Sequence, residues 1–240
     1  MNSSNDMTFM NHLLELRSRL IYVLFAVFIF SFAGYYYSNE IINILLAPIN
    51  DPAINIQALK ITSIFMTKIM IGLFLGISLS FPVLVYNLLL FILPAFENKL
   101  NLKKIAIIVF VSLLLFLIGL LFGYKIIIPF SLSFFKSISL GLLDNISLNY
   151  TIENYLTYFL WILLICSTIY QLPIIIFILV RIKVLSLNNL KQYRRYLIVI
   201  FFIISALLTP PDPISQLLVA VPLILLYELT IILISIFFKK

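Results

Sequence analysis

Six stretches of this chain run long, apolar and nearly free of charge: residues 20–37, 69–96, 105–124, 154–180, 196–211 and 213–238. A helix crosses the hydrocarbon core of a bilayer with about 20 such residues, and only helices or closed barrels satisfy their own backbone polar groups there. Barrel strands would alternate apolar with polar residues, and these runs do not. A soluble fold has no place for them either. The chain is 63% hydrophobic and 10% charged over 240 residues, against about 45–50% and about 25% in an ordinary soluble domain. We therefore expect an all-α integral membrane protein, one domain over residues 1–240 with six transmembrane helices. The fifth run has 16 residues, about 24 Å of helix. That is short for a span and points to a locally thin membrane.

Charge sets the expected orientation. Arg17 and Arg19 precede the first run, and Lys99, Lys103 and Lys104 separate the second from the third. Arg181, Lys183, Lys191, Arg194 and Arg195 separate the fourth from the fifth, and Lys239 and Lys240 follow the sixth. With six spans these twelve of the sixteen basic residues share one side, so the positive-inside rule places both termini in the cytoplasm, or in the matrix or stroma of an organelle. The net charge of +7 is thus a topology signal. Nucleic acid is not expected as a partner, since no stripe of base-stacking aromatics accompanies the charges. The first run has full span length and no small-x-small cleavage site, so it reads as a retained helix and not a signal peptide.

The rare residues limit the chemistry. With one cysteine, Cys166, and one histidine, His12, neither an internal disulfide nor a Cys/His zinc site can form within one chain. No phosphate-loop motif is present. No metal, cofactor or catalytic residue is expected.

A few residues are out of place in a membrane. Pro82, Pro129, Pro173 and Pro222 lie within or at the edges of the runs and predict bent helices, because each removes a backbone donor. Glu228 lies well inside the sixth run and Gln171 inside the fourth. A carboxylate at that depth faces protein or a water-filled cavity, and either locks packing or receives a partner. A buried amide more often bridges helices than binds a ligand. Residues 1–19 form an N-terminal interfacial segment in which Leu13, Leu16 and Leu20 recur at helical spacing and Glu15 stands four residues before Arg19. In Thr209-Pro210-Pro211-Asp212-Pro213 the prolines end one helix and the carboxylate stands ready to cap the next.

Taken together, these landmarks resemble the TatC family of the twin-arginine (Sec-independent) protein translocase. His12-Leu-Leu-Glu15-Leu-Arg17-Ser-Arg19-Leu20 is similar to the family's N-terminal HLxELRxRL signature. Phe81-Pro82-Val-Leu-Val-Tyr86 with Phe91-Ile-Leu-Pro94-Ala95 is similar to its second span and following loop, and Leu208 to Asp212 with Ser215, Gln216, Pro222 and Tyr227-Glu228 to its C-terminal signature. The resemblance implies a receptor without catalysis. It binds twin-arginine signal peptides of folded cargo and scaffolds TatA/TatB-type single-span partners for transport driven by the proton gradient. It also implies a homo-oligomer within a translocase complex. Glu15, Arg17, Phe91 and Glu97 become the signal-peptide-binding residues, because paired carboxylates hold guanidinium groups best. Leu100 stands where the family's loop glutamate usually stands, and Glu97 takes its place. Gln171, a glutamate in many members, and Glu228 become polar spots for partner docking. Pro48, Pro82, Pro94, Pro173, Pro210, Pro211 and Asp212 become structural. A composition rich in Ile, Leu, Phe, Asn and Lys points to an organelle-encoded protein of the mitochondrial inner membrane, with the bacterial inner membrane and the thylakoid as alternatives. The competing function is a small-solute secondary transporter, which would bring more polar residues to the bilayer midplane than Gln171 and Glu228.

Overall fold

The computed structural model describes residues 9–49, 54–95, 101–142, 148–209 and 212–237. Nearly all of them are helical. α1 (Phe9–Tyr36) turns through 71° at Tyr37 into α2 (Ser38–Leu46), and Pro48 lies in the short 3-10 turn that follows. A strand, β1 (Ile54–Gln57), leads into α3 (Ser63–Ala95). Next, α4 (Leu102–Phe122) passes through a π-helical turn (Gly123–Ile127) into α5 (Ile128–Leu142). The chain continues through β2 (Leu148–Thr151), α6 (Ile152–Ile169), α7 (Leu172–Arg181), α8 (Leu187–Leu208) and α9 (Pro213–Phe237).

Among the described residues, four helical paths are long and apolar enough to cross a membrane: Ser63–Ile92, Leu102–Ser137, Ile152–Arg181 and Pro213–Ile236. The bent α1–α2 pair makes a fifth if it is taken as one span. The remaining expected span, the fifth run, is α8, which falls short because Lys191, Arg194 and Arg195 occupy its early turns. Only residues 196–208 remain, about 20 Å of helix. Charge also misplaces the expected boundaries elsewhere. Lys68 and Lys125 end apolar runs but not helices, so α3 begins at Ser63 and the third path continues past Lys125 into α5. Over residues 9–19 the N-terminal segment continues directly into the first long helix.

The prolines act in two ways. Pro173 stands at the second position of α7, where the missing N–H has no intrahelical partner to lose, whereas Pro129 follows directly on the π-helical turn inside the continuous α4–α5 path. The helix breaks at Tyr170–Gln171, just before Pro173. α3 and α9 instead run on through Pro82 and Pro222.

Small residues set the closest helix contacts. A Cβ added to Gly76 of α3 would lie 2.7 Å from the Val27 carbonyl oxygen of α1, and one added to Gly72 would lie 2.9 Å from that of Ser31. On α4, a Cβ at Gly119 would meet the Cα of Ser167 in α6 at 2.7 Å. Gly72–Gly76 and Gly119–Gly123 both have the small-xxx-small spacing that lets backbones approach where no hydrophobic effect drives association. The core closes around Phe159, Phe201, Leu156 and Tyr227.

Two of the connecting segments pair as a sheet. β1 and β2 run parallel in the register Ile54↔Leu148 to Gln57↔Thr151. The long excursion through α3, α4 and α5 supplies the crossover that parallel strands require. Beside this sheet, Tyr124 Oη donates to the Ile44 carbonyl at 2.7 Å and Tyr155 Oη to that of Leu45 at 3.1 Å, which fastens α2 down.

Candidate functional site

The first turns of α1 lie against the last turns of α3. There the His12 ring stacks on Phe91, with centroids 4.2 Å apart and planes 12° from parallel. One turn further along α1, Arg19 Nε donates to Glu15 Oε1 at 2.9 Å, and its Nη2 contacts the same oxygen. The other oxygen, Oε2, is buried and accepts no hydrogen bond among the described residues. His12 Nδ1 lies 3.9 Å from it. Helical spacing of three and four puts His12, Glu15 and Arg19 on one face, which the close α1–α3 contact turns toward Phe91. Arg17 is exposed on another face. The structure therefore brings Glu15 to Phe91 through His12. Glu97 lies outside the described residues.

The second carboxylate is held differently. Arg194 Nε of α8 donates to Glu228 Oε1 of α9 at 2.7 Å, and both side chains remain partly exposed. Beside this pair, buried Tyr227 donates to the Leu190 carbonyl at 2.7 Å. Gln216 reaches from α9 to the Phe202 carbonyl at 3.0 Å. At the head of α9, Asp212 Oδ2 accepts the Ser215 N–H at 2.9 Å, a side-chain cap. Pro210 and Pro211 lie outside the described residues. Pro94 lies in the last turn of α3.

Gln171 is buried, only 4% exposed, and bonds to neither carboxylate pair among the described residues. Its Nε2 donates to the Ser112 carbonyl at 3.1 Å, and its Oε1 accepts from Ser112 Oγ at 2.7 Å. This reciprocal bond joins α4 to the α6–α7 break. The amide and Glu228 do not share an open face in this structure.

Two residues of these constellations escaped the sequence reading as site residues. Arg194 counted only toward topology, and His12 only as part of a motif. No local pattern marks Arg194 as the partner of Glu228, since the pairing depends on α8 lying beside α9. The glycine pairs were readable from their spacing.

Residues 11–222 match the family described as Sec-independent protein translocase protein (TatC). The chain belongs to this family. It is 32% identical to the translocase protein TatCy of Bacillus subtilis over 239 residues, covering 98% of this chain and 92% of that protein. It is 36% identical to TatC of Rickettsia prowazekii over 231 residues, covering 94% and 91%. A tatC-like protein of Reclinomonas americana, ymf16, is 31% identical over 228 residues, covering 92% and 85%. In three dimensions the fold is similar to a crystal structure of the twin-arginine translocase receptor TatC, with a TM-score of 0.80 and 32% identity over 92% of this chain and 98% of that one. Its relatives being translocase components, the chain is an integral, multi-pass subunit of a protein transport system.

Proposed function

We propose that this subunit is the receptor for twin-arginine signal peptides, with Glu15 as the acceptor of a signal-peptide guanidinium. The observation that carries this reading is the half-engaged carboxylate. Arg19 holds one oxygen of Glu15, while the other, beside His12 and Phe91, accepts no hydrogen bond among the described residues. An incoming arginine gains a bidentate, charge-assisted contact by displacing Arg19 or by reaching Oε2 as His12 moves aside. Phe91 offers its ring as an apolar floor, and Glu97 supplies the second carboxylate from the loop after α3. In this reading the six runs cross the membrane with both termini on the cytoplasmic or matrix side. Short α8 thins the bilayer beside α9, and Glu228 receives a TatA/TatB-type partner helix. The subunit performs no catalysis of its own, and the proton gradient drives transport. A mitochondrial inner-membrane home follows from the composition.

Photo-crosslinking of a twin-arginine peptide to the membrane-inserted protein tests the proposal. Glu15→Ala should weaken capture by about tenfold or more, the value of a charge-assisted hydrogen bond. Glu15→Lys should abolish it. Undiminished crosslinking in Glu15→Lys would remove Glu15 from the site. Retained crosslinking after Glu97→Lys would leave Glu15 as sole acceptor.

A further inference from the structure

A groove of about 430 Å³ opens on the outside of the bundle between α4, α7 and α9. Its floor includes Pro173 and Ile174, and its rims carry Ile107, Val111, Leu229 and Leu233. The four rim residues are exposed on the lipid-facing surface. Thr230 is the polar side chain in the lining, and its hydroxyl already donates to the Leu226 carbonyl at 2.7 Å. Nothing in this groove calls for a polar ligand. Along α4 it extends from Ile107 to Leu115, about 12 Å, which is most of one leaflet's ~15 Å of hydrocarbon.

The end of the groove is charged. Lys103 and Lys104 stand one helical turn before Ile107 and Ile108, and Arg181 stands one turn beyond Phe177. Residues this far apart share a helix face. Lys103 and Lys104 are exposed. Glu15 and Glu228 are each held by an arginine of their own, Arg19 and Arg194.

We infer that this groove binds an anionic phospholipid, with an acyl chain between α4, α7 and α9 and the phosphate at Lys103 and Lys104. Charge complementarity selects this occupant. An apolar cleft accepts any acyl chain, but two exposed lysines at its interfacial mouth favour a lipid with net negative charge over a zwitterionic one. The inference is independent of the signal-peptide reading, because it concerns a different face and no residue of the Glu15 site.

The test places a single tryptophan in the groove. Trp161, which faces lipid elsewhere on α6, is changed to Phe, and Val111→Trp is introduced. Leu117→Trp, on the lipid-exposed part of α4 outside the groove, serves as reference. Each protein is reconstituted in vesicles carrying brominated phosphatidylglycerol or brominated phosphatidylcholine, and tryptophan quenching is read. Quenching at position 111 should favour the anionic lipid by about fivefold for each engaged cation. The preference should fall toward unity in Lys103→Gln/Lys104→Gln and be absent at position 117. Circular dichroism checks that the variants keep their helix content. Equal quenching by both lipids at position 111, or a preference that survives loss of the lysines, overturns the proposal. Protection of position 111 from both lipids also overturns it and points to another polypeptide in the groove.

Discussion

The α1–α3 and α8–α9 pairs each carry one carboxylate with one arginine, yet they are built by opposite means. In α1–α3 the backbones touch. Gly72 and Gly76 leave room for Val27, Ser31 and Tyr35, so dispersion between close backbones holds the pair. No polar group has to reach across, and Glu15 forms its ion pair within its own helix. In α8–α9 the polar groups are the stitches: Arg194 to Glu228, Tyr227 to Leu190 and Gln216 to Phe202 all cross between helices. The first arrangement uses its carboxylate within one helix and leaves the other oxygen buried with no hydrogen bond among the described residues. The second uses its carboxylate to tie two helices together. Similar-looking acidic residues in apolar surroundings thus do different structural work, and the helix contact beneath them decides which.

The sharpest way to break this contrast is to fill the α1–α3 contact. Gly76→Val should be the most damaging change, costing about 3 kcal/mol or more, because backbone oxygen blocks the added carbons and neither helix can yield without separating. A large fall in the unfolding midpoint of the detergent-solubilised protein is expected. An unchanged midpoint would mean that the helices are not held by close approach. Next comes the polar stitch. Arg194→Ala and Glu228→Ala should each lower stability by about 1 kcal/mol, since the pair is partly exposed and such bonds in membranes are modest. The double variant should lose little beyond either single one. Strict additivity in that double-mutant cycle would show that the two residues do not act as a pair. Glu228→Ala should also weaken co-purification with a TatA/TatB-type partner. The smallest effect belongs to Phe91→Leu, which removes the ring stack on His12, worth about 0.5 kcal/mol. It should reduce twin-arginine peptide crosslinking severalfold while leaving the unfolding midpoint nearly unchanged. A fall in the midpoint with intact crosslinking would assign Phe91 to packing alone.

Much of the architecture was legible along the chain because the bilayer is a simple solvent. It demands long apolar helices, and such runs are one-dimensional signals. Their ends were less legible. Lys68 and Lys125 interrupt an apolar run but not a helix, since a lysine can carry its charge outward along its stem. The two glycine pairs were visible as spacing, but a spacing does not name its partner helix. The Glu15–Arg19 pair follows from helical periodicity alone.

Everything that joined distant parts of the chain needed the fold. His12 meets Phe91, and Arg194 meets Glu228, only because particular helices lie side by side. Nothing local in Ile54–Gln57 or Leu148–Thr151 announces a parallel strand pair, because each becomes a strand by finding the other. A buried amide such as Gln171 more often bridges helices than binds a ligand, but only the fold names its partner, Ser112, bonded to both ends of the amide. Composition and periodicity settled the solvent and the helices, and short motifs carried the family resemblance, because those depend on residues near one another in sequence. That Glu228 ties α8 to α9 was decided by packing, because it depends on which helix lies against which.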